Sequence, residues 1–354
     1  MPIVIRMSHE PTDKLRRGWT TGACAAAAAK AALEGLWNGA FPDRVQITLP
    51  RGEAPEFDVV NPLRGAGWAE AGIVKDAGDD PDVTHGCEIR VRVEPSQGGV
   101  QFRAGKGVGI VTKPGLPVPV GEPAINPMPR EMIVKVVEEQ AANYCKTNNI
   151  TVFISIPSGE AIAEKTWNPR LGIKGGLSIL GTTGIVRPFS CAAWIASIHR
   201  GVDVARASGL EHVAGCTGST SEKAVRAFYD LSEGAMLDMG DFAGGLLKYL
   251  RRHPVPRLTI GGGIGKLAKL AQGAMDLHSA RTQVDFAALA ELVGDPRLEK
   301  VNTVLEAFEI SGDNLAKTIA EEALGQVRKH LQSAPVQPDI IVVDRAGNII
   351  ARAG

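Results

Sequence analysis

The sequence has no net charge and no long hydrophobic run, and each of these absences excludes a class of protein. Lys plus Arg and Asp plus Glu number 39 each among 354 residues, so the formal net charge is zero. A balanced chain has no global field that would attract nucleic acid or an anionic membrane surface, and we expect neither as a partner. No apolar run reaches the roughly 20 residues that cross a bilayer, so we also expect no membrane span.

Cysteine is scarce as well: the five residues are odd in number, widely spaced and without a CxxC pair. This usage is typical of free, mostly buried thiols in a reducing cytoplasm, and it gives no basis for a cysteine-ligated metal. Residues 1–14 lack a positively charged start followed by a long apolar core, so we expect no signal peptide. We therefore predict a cytoplasmic protein with no metal of its own. The sequence leaves open whether it forms a homo-oligomer.

A length of 354 residues favours about two domains. Hydrophobic residues make up 44% of the chain, enough to form their cores. Alternating segments in the first half predict strands, and in the second half strands run into Gly-rich turns and helices, as in a parallel α/β layer. We predict an α+β domain over residues 1–180 and an α/β Rossmann-like domain over residues 181–354. The first-half strands are expected at 44–50, 56–60, 70–76, 88–95, 99–103 and 150–156, with a helix from Asn126 to about Lys146.

An alanine-rich run, Ala23 to Leu33, follows Thr20-Thr21-Gly22. Alanine is the best helix former and threonine is a good N-cap, so we predict a helix that runs to about Gly35. Its small side chains favour a buried structural helix. The capped end, at Thr20 and Thr21, offers amides and the positive end of the helix dipole to an anion.

The segment Thr166–Pro188, TWNPRLGIKGGLSILGTTGIVRP, combines glycines with cationic side chains. Glycine lets backbone approach a ligand, and a threonine pair such as Thr182-Thr183 can cap a helix and leave amides facing an anion. A second Gly/Pro-rich segment, 105–130, is unusually long for a loop in a compact domain. Together they predict a binding surface for a large anionic small molecule. The cationic candidates are Lys106, Lys113, Arg130, Lys165, Arg170, Lys174 and Arg187.

Two Gly-rich turns in the second half predict a ligand site at the carboxyl ends of parallel strands. The sequence 261–265 is neither a Walker loop nor a full GxGxxG fingerprint, so helix–strand packing and ligand approach both remain open. Asp238 lies 20 residues after Gly218, the separation at which a dinucleotide-binding unit places its ribose-binding carboxylate. Asp238 or Asp241 is expected on a ribose, although Asp241 also suits a helix cap. The cofactor candidates are Gly215, Thr217, Gly218, Asp238, Gly261, Gly263 and Gly265.

Several long motifs resemble the CbiD family, in order along the chain. They are LRRGWTTGACAAAAAKAAL (Leu15–Leu33), GKGVGIVTKPGLPVPVGEPAINPMPREMI (Gly105–Ile133), TWNPRLGIKGGLSILGTTGIVRPFS (Thr166–Ser190), MGDF (Met239–Phe242), GGGIGKLAKLAQG (Gly261–Gly273) and DLHSAR (Asp276–Arg281). The resemblance implies transfer of a methyl group from S-adenosylmethionine to C-1 of cobalt-precorrin-5B, giving cobalt-precorrin-6A in anaerobic cobalamin biosynthesis. It also implies that cobalt enters only inside the tetrapyrrole substrate.

On this resemblance, the carboxylate-rich ring is expected on the basic first-half candidates together with Thr20, Thr21, Thr182 and Thr183. The adenosine of the donor is expected on the second-half turns. A sulfonium methyl is already electrophilic, so holding it in line about 3 Å from the ring carbon supplies much of the rate without a nucleophilic triad. Asp241 and His278 are the candidate catalytic bases for ring protons, with a structural role as the alternative for His278.

Two other functions remain open at this point. A nucleotide-dependent oxidoreductase acting on a corrinoid intermediate would also use Gly-rich turns, and it would bind a nicotinamide cofactor. A non-catalytic tetrapyrrole carrier would bind the ring without turnover and would need no adenosine pocket.

Overall fold

The computed structural model describes residues 15–354. The chain divides into two compact units between Ser190 and Cys191, whereas the sequence placed the domain boundary after residue 180. The expectation of no signal peptide concerns residues 1–14, which lie outside the described part. No helix within residues 15–354 is long and apolar enough to cross a membrane.

The described part of the first unit combines helices with a five-stranded sheet. Its helices are α1 (Thr21–Trp37), α2 (Pro127–Asn143) and α3 (Gly159–Ala163). Its strands are β1 (Gly18–Trp19), β2 (Arg44–Gln46), β3 (Glu56–Asp58), β4 (Val60–Gly65), β5 (Trp68–Val74), β6 (Glu88–Pro95), β7 (Val100–Ala104), β8 (Gly107–Val108), β9 (Ile110–Val111), β10 (Ile150–Ser155), β11 (Ile173–Lys174), β12 (Gly176–Leu177) and β13 (Ile185–Val186). The sheet order is β4-β5-β6-β10-β7, and only β10 and β7 pair in parallel.

Helix α1 is central to the core of the first unit. Thr20 is its N-cap, because Thr20 Oγ1 accepts a hydrogen bond from Ala23 N at 3.2 Å. Residues 23–29 are fully buried, and the helix packs against β5, β6 and α2. Alanine side chains end at Cβ, so the packed backbones lie closer than larger side chains would permit. The prediction of a capped, buried helix is confirmed, and the helix ends at Trp37, just beyond the expected stop at Gly35.

The features of this unit that the sequence missed include an edge strand and the pairing of the Gly-rich segments. Strand β4 is an edge strand with a mostly exposed sequence and an internal proline, Pro62, so no alternation marks it. Within residues 105–126, which we expected to be a loop, β8 pairs with β12 and β9 pairs with β11. The two Gly-rich segments of the chain are therefore joined to each other by backbone hydrogen bonds.

A buried ion pair closes the turn after β5. Lys75 Nζ lies 2.7 Å from Asp82 Oδ2, and the Lys75 side chain is 1% exposed. Asp82 Oδ1 also accepts hydrogen bonds from Thr84 N at 2.7 Å and Thr84 Oγ1 at 2.6 Å. Burial alone would raise the pKa of Asp82, but the Lys75 charge and these hydrogen bonds outweigh it, so the pKa is lowered.

The second unit is built on a largely parallel sheet. Its helices are α4 (Cys191–Ala207), α5 (Ser219–Tyr229), α6 (Ala243–Leu250), α7 (Ile264–Ala271), α8 (Phe286–Val293) and α9 (Val304–Leu331), which is kinked at Gly312; 3₁₀ turns lie at Glu233–Ala235 and Pro296–Lys300. Its strands are β14 (His212–Cys216), β15 (Met236–Leu237), β16 (Arg257–Gly263), β17 (Gln337–Val343) and β18 (Ile349–Ala353). The order is β15-β14-β16-β17-β18, with β18 antiparallel.

Helices cover both faces of this sheet. Ile340 and Val342 of β17 belong to the large core formed with α4, α6, α7 and α9, whereas Ile341 and Val343 belong to a smaller core with Val225 of α5. This alternation explains why β17 reads as a continuous apolar run in the sequence. A Rossmann-like domain remains our interpretation of this arrangement.

We expect Asp82→Asn to lower the free energy of unfolding by roughly 3 kcal/mol at neutral pH, because it leaves the Lys75 ammonium buried without a counter-charge. Adding Lys75→Met should restore most of that stability, since the double variant buries no unpaired charge. Urea denaturation of the wild type and both variants measures the two effects. A double variant no more stable than Asp82→Asn alone would contradict this role for the pair.

The same pair predicts a pH dependence. The pKa of Asp82 is lower in the folded state than its ordinary value. Its contribution to stability is therefore present above about pH 4 and is lost as the pH falls through the folded-state pKa. The stability difference between wild type and Asp82→Asn should shrink below about pH 4. A difference that stays constant on acidification would argue against this ion pair.

Candidate functional site

The carboxyl ends of β14, β15 and β16 bring the candidate cofactor residues of the second unit together. Strand β14 lies between β15 and β16, so the next two strands along the chain are on opposite sides of β14. The sheet therefore has a topological switch point there. In open α/β sheets, ligands bind at the carboxyl ends of the strands beside such a switch point. Thr217 N donates to Gly261 O at 2.9 Å, and Gly240 N donates to Cys216 O at 3.1 Å. The residues that follow β14 and β15 are therefore tied to each other and to the end of β16 at one edge of the sheet.

Lys266, the residue after the Gly261–Gly265 turn, lies between the loops that follow β14 and β15. Its Nζ donates to Thr217 O at 3.2 Å and lies 2.7 Å from Asp241 Oδ1. Asp241 Oδ1 has no hydrogen bond of normal geometry. The contact between Lys266 and Asp241 is therefore an ion pair that lacks the angles of a hydrogen bond. The lysine in GGGIGK could thus have indicated a charged residue at this site. Its partner is the carboxylate of Asp241 in the loop after β15.

Asp241 does not cap the following helix, which was the alternative reading of this residue. Helix α6 starts after Phe242, and no side-chain cap is present there. The Asp241 carboxylate faces Lys266, and Asp241 O accepts a hydrogen bond from Leu277 N at 2.9 Å. Asp241 therefore joins the switch-point loops to the loop that carries His278.

His278, the second candidate base, follows Leu277 in this loop, and its hydrogen bonds favour the structural role over that of a base. Its Nδ1 accepts a hydrogen bond from Ala280 N at 3.2 Å. The neutral ring then carries its hydrogen on Nε2, so that atom can donate a proton but cannot accept one. Buried Lys269 fixes this loop by donating to Leu277 O at 3.0 Å and Ser279 Oγ at 3.1 Å, and burial lowers the pKa of that lysine. We therefore retain Asp241, and not His278, as the candidate base.

The glycines of the second unit separate into packing glycines and open ones. A Cβ atom on Gly215 would lie 2.5 Å from Leu246 Cδ2, and one on Gly261 would lie 2.6 Å from Val225 Cγ2. These two positions are glycine because neighbouring side chains occupy the space. A Cβ on Gly218, Gly263 or Gly265 would meet nothing within 4 Å. The open glycines are those at which a ligand can approach the backbone.

The Gly-rich segments of the first unit pack mainly on each other. A Cβ on Gly107 would lie 2.0 Å from Ile156 O, one on Gly159 would lie 2.1 Å from Gly107 O, and one on Gly176 would lie 2.2 Å from Gly107 C. Backbone meets backbone at all three positions. We expected these glycines to admit a ligand, and the structure shows that glycine is required there by the fold. Gly175, with nothing within 4 Å, is an open position in the same segment.

The cationic candidates of the first unit differ in how far the fold already uses them. Lys113 packs its stem on Gly172 and donates from Nζ to Arg170 O at 3.3 Å. Arg130 donates to Ile125 O at 2.9 Å and to Pro123 O at 3.2 Å, so it holds the start of α2. The Arg170 guanidinium lies 4.3 Å from the centre of the Trp167 ring. The exposed cations are Lys106, Lys165, Lys174 and Arg187.

Of the four threonine candidates, Thr20 caps a helix as predicted, and Thr182-Thr183 does not. Thr20 is buried and caps α1. Thr21 is also buried, and its Oγ1 accepts a hydrogen bond from Leu180 N at 2.9 Å. No helix begins at Thr182-Thr183: Thr183 Oγ1 accepts from Ile185 N at 3.2 Å in a turn that leads into β13. The hydroxyls of Thr20, Thr21 and Thr183 are thus bonded within the fold, and of the four only Thr182 is exposed. An anion site at either pair stays a prediction.

Within residues 15–354, no group of three or more His, Cys, Asp or Glu side chains is placed to hold a metal ion.

Comparison with known protein families matches both ends of this chain to one family. The model of the CbiD family matches residues 8–188, and that of the CbiD C-terminal domain matches residues 276–354.

Relatives named cobalt-precorrin-5B C(1)-methyltransferase occur in Brucella. The Brucella anthropi protein is 58% identical over 97% of this chain and 98% of its own length. The Brucella ovis protein is 58% identical over 96% of each. A crystal structure described as a cobalamin biosynthesis protein (CbiD) from Archaeoglobus fulgidus is 26% identical and covers 84% of this chain and 85% of that chain. Its TM-score is 0.41, too low for the two folds to be compared.

The two kinds of glycine predict opposite effects of alanine. We expect Gly261→Ala to lower the free energy of unfolding by about 1–3 kcal/mol, because its Cβ would overlap the Val225 side chain. Gly263→Ala should leave stability nearly unchanged, since its Cβ would point into open space and its φ of −69° suits alanine. Thermal unfolding of the two variants tests this. Equal melting temperatures would show that Gly261 is not a packing position.

Proposed function

The chain belongs to the CbiD family, and from that premise we propose that it catalyses the reaction for which its relatives are named, methylation of cobalt-precorrin-5B at C-1. The observation that supports this most strongly is 58% identity over almost the full length of those relatives. The relatives' name is that of a methyltransferase and gives no support to an oxidoreductase. A non-catalytic carrier would not need the loop cluster at the switch point.

The proposed methyl donor is S-adenosylmethionine, bound at the carboxyl edge of the second unit. Gly218 and Gly263 leave backbone open on either side of the switch point between β14 and β16. Asp238 follows β15, where a carboxylate can accept hydrogen bonds from ribose hydroxyls. Lys266 and Asp241 supply one charge of each sign beside Thr217. A zwitterionic sulfonium amino acid, with a carboxylate and two cationic groups, matches this mixed charge.

The proposed ring site uses the basic loops of the first unit. Lys174 lies in β11 and Lys106 directly precedes β8, and both are exposed on the paired Gly-rich segments. Arg170 and Trp167 add a cation stacked on an aromatic ring. Several cations on a rigid surface suit a ring with many carboxylates, because each charge pair is positioned without a cost in chain ordering. Thr20, Thr21 and Arg130, whose polar groups the fold already uses, are left out of this site.

The chemistry needs little from the protein beyond positioning. The C-1 carbon supplies the electron pair for the new carbon–carbon bond, and the sulfur retains the pair of the broken C–S bond. S-adenosylhomocysteine leaves, and the ring gives up one proton. The proposed acceptor of that proton is the Asp241 carboxylate, oriented by Lys266. In-line alignment at about 3 Å accounts for most of the acceleration.

The reaction is tested by anaerobic incubation of the protein with cobalt-precorrin-5B and methyl-labelled S-adenosylmethionine, followed by mass spectrometry of the ring. We expect one labelled methyl group, at C-1. Ring binding without transfer by the folded protein would contradict the proposal and would favour the carrier.

The donor placement predicts separate effects on binding. Asp238→Ala should weaken S-adenosylhomocysteine by roughly tenfold, because a charged hydrogen bond to ribose is lost. Asp241→Ala should weaken it as well, because the site loses the negative charge proposed to face the ammonium group of the ligand. Asp313→Ala, an exposed change in α9, is the control and should have no effect. Calorimetric titration measures all three, and unchanged affinity in both site variants would rule out this placement.

The ring placement predicts a kinetic difference between the two substrates. Arg170→Ala and Lys174→Ala should each raise the KM for the ring several-fold, roughly the effect of one charged contact, and leave the KM for the donor unchanged. Lys146→Ala, an exposed change after α2, is the matched control. An effect confined to the KM of the donor would reverse the assignment of the two sites.

A further inference from the structure

A tryptophan that the proposed function does not use lies directly on the loop that carries Asp238. Trp194 is in the first turn of α4, and its indole Nε1 donates a hydrogen bond to Asp238 O at 2.9 Å. The residue remains 39% exposed. A large ring is therefore attached to the residue proposed to bind ribose, and a substantial part of the ring still faces solvent.

The loop holds this ring in place from a second side. A Cβ atom on Gly240 would lie 3.3 Å from Trp194 Cζ2, so the glycine backbone lies close against the edge of the indole. The ring of Phe242 lies 6.1 Å from that of Trp194, centre to centre, at 54°. Together with the bond to Asp238 O, these contacts orient the indole before any ligand binds, which lowers the entropy cost of stacking.

The topology indicates which part of the donor this ring would meet. Strand β15 is the outermost strand of the sheet on one side, next to β14, and α4 packs against β15. In a nucleoside whose ribose is held at Asp238, the base is attached at C1′ and the 5′ substituent at C4′, at the two ends of the sugar ring. If the 5′ substituent faces the open glycines Gly218 and Gly263, then the base faces away from the switch point, toward the side of β15 on which α4 lies.

We infer that Trp194 is a base-binding residue, whose exposed indole face stacks on the adenine of the methyl donor. This inference rests on the proposed donor site. Stacking of a base on an aromatic face is favourable for any purine, and adenine in particular needs no charged partner. Single exposed aromatic residues are common on protein surfaces. What distinguishes Trp194 is that its N–H binds the backbone of the residue proposed to hold the ribose.

The number of tryptophans makes a direct test practical. The chain has five, Trp19, Trp37, Trp68, Trp167 and Trp194, and only the last lies in the second unit. Protein labelled with 5-fluorotryptophan should give five fluorine resonances, which Trp→Phe variants assign. Addition of S-adenosylhomocysteine should shift the Trp194 resonance strongly and leave that of Trp37, the control, in place. Adenosine alone should produce the same shift, because the base makes the contact.

Affinity supplies the second readout. Trp194→Leu should raise the Kd for S-adenosylhomocysteine by roughly 5- to 100-fold, the range expected for loss of one base–aromatic stack. Trp194→Phe keeps a stacking ring but loses the hydrogen bond to Asp238 O, so it should retain most of the affinity. If the tryptophan served only to hold the loop, the two variants would bind equally poorly and the wild-type resonance would not respond to adenosine.

The outcomes separate this inference from the proposed function. If the wild type binds S-adenosylhomocysteine and Asp238→Ala weakens that binding, while the Trp194 resonance does not move and Trp194→Leu binds normally, the inference is overturned and the donor site stands. If the wild type binds neither S-adenosylhomocysteine nor adenosine, the donor site and the inference fail together.

Discussion

Close contact between backbones at Gly107, Gly159 and Gly176 is the constraint on which the first unit depends. Each position has another backbone where a Cβ would stand, so no larger residue fits without moving a strand. This contact brings β8 against β12, and the adjoining β9 against β11, so that two segments far apart in sequence form one surface. The lysines on that surface are ordered by the pairing of their backbones and not by long-range charge, in a chain whose net charge is zero.

The second unit also brings separate loops together, but through the order of its strands. Its parallel strands all finish at one edge, so loops that are short and unremarkable singly meet there as a cluster. Lys266 holds two of those loops through Thr217 O and Asp241. Packing glycines beneath the edge, such as Gly261, let α5 approach the sheet, while open glycines above it leave backbone free for a ligand. Glycine thus serves the fold and the proposed function at neighbouring positions of one turn.

Local sequence predicted the structure correctly where a residue interacts with its neighbours along the chain. The Thr20 cap and the helix from Asn126 follow from propensity and capping, and both are observed. It was a poor guide where a distant partner decides the outcome. Thr21 looks like an anion-binding residue until Leu180 is found bonded to its hydroxyl. His278 looks like a base until Ala280 N is found bonded to its Nδ1.

The sequence by itself determined the family, helices α1 and α2, most strands of the five-stranded sheet, and the residue types from which a site could be made. These depend on local pattern and on long motifs. Only the tertiary structure decided which glycines are filled by neighbours and which are open, that Lys266 faces Asp241, and that Trp194 meets Asp238. The physical reason is that hydrogen bonds and van der Waals contacts act over a few ångströms. Partners 25 to 159 residues apart in the chain come within that range only after the strands have paired, and their spacing in the sequence does not show that they meet.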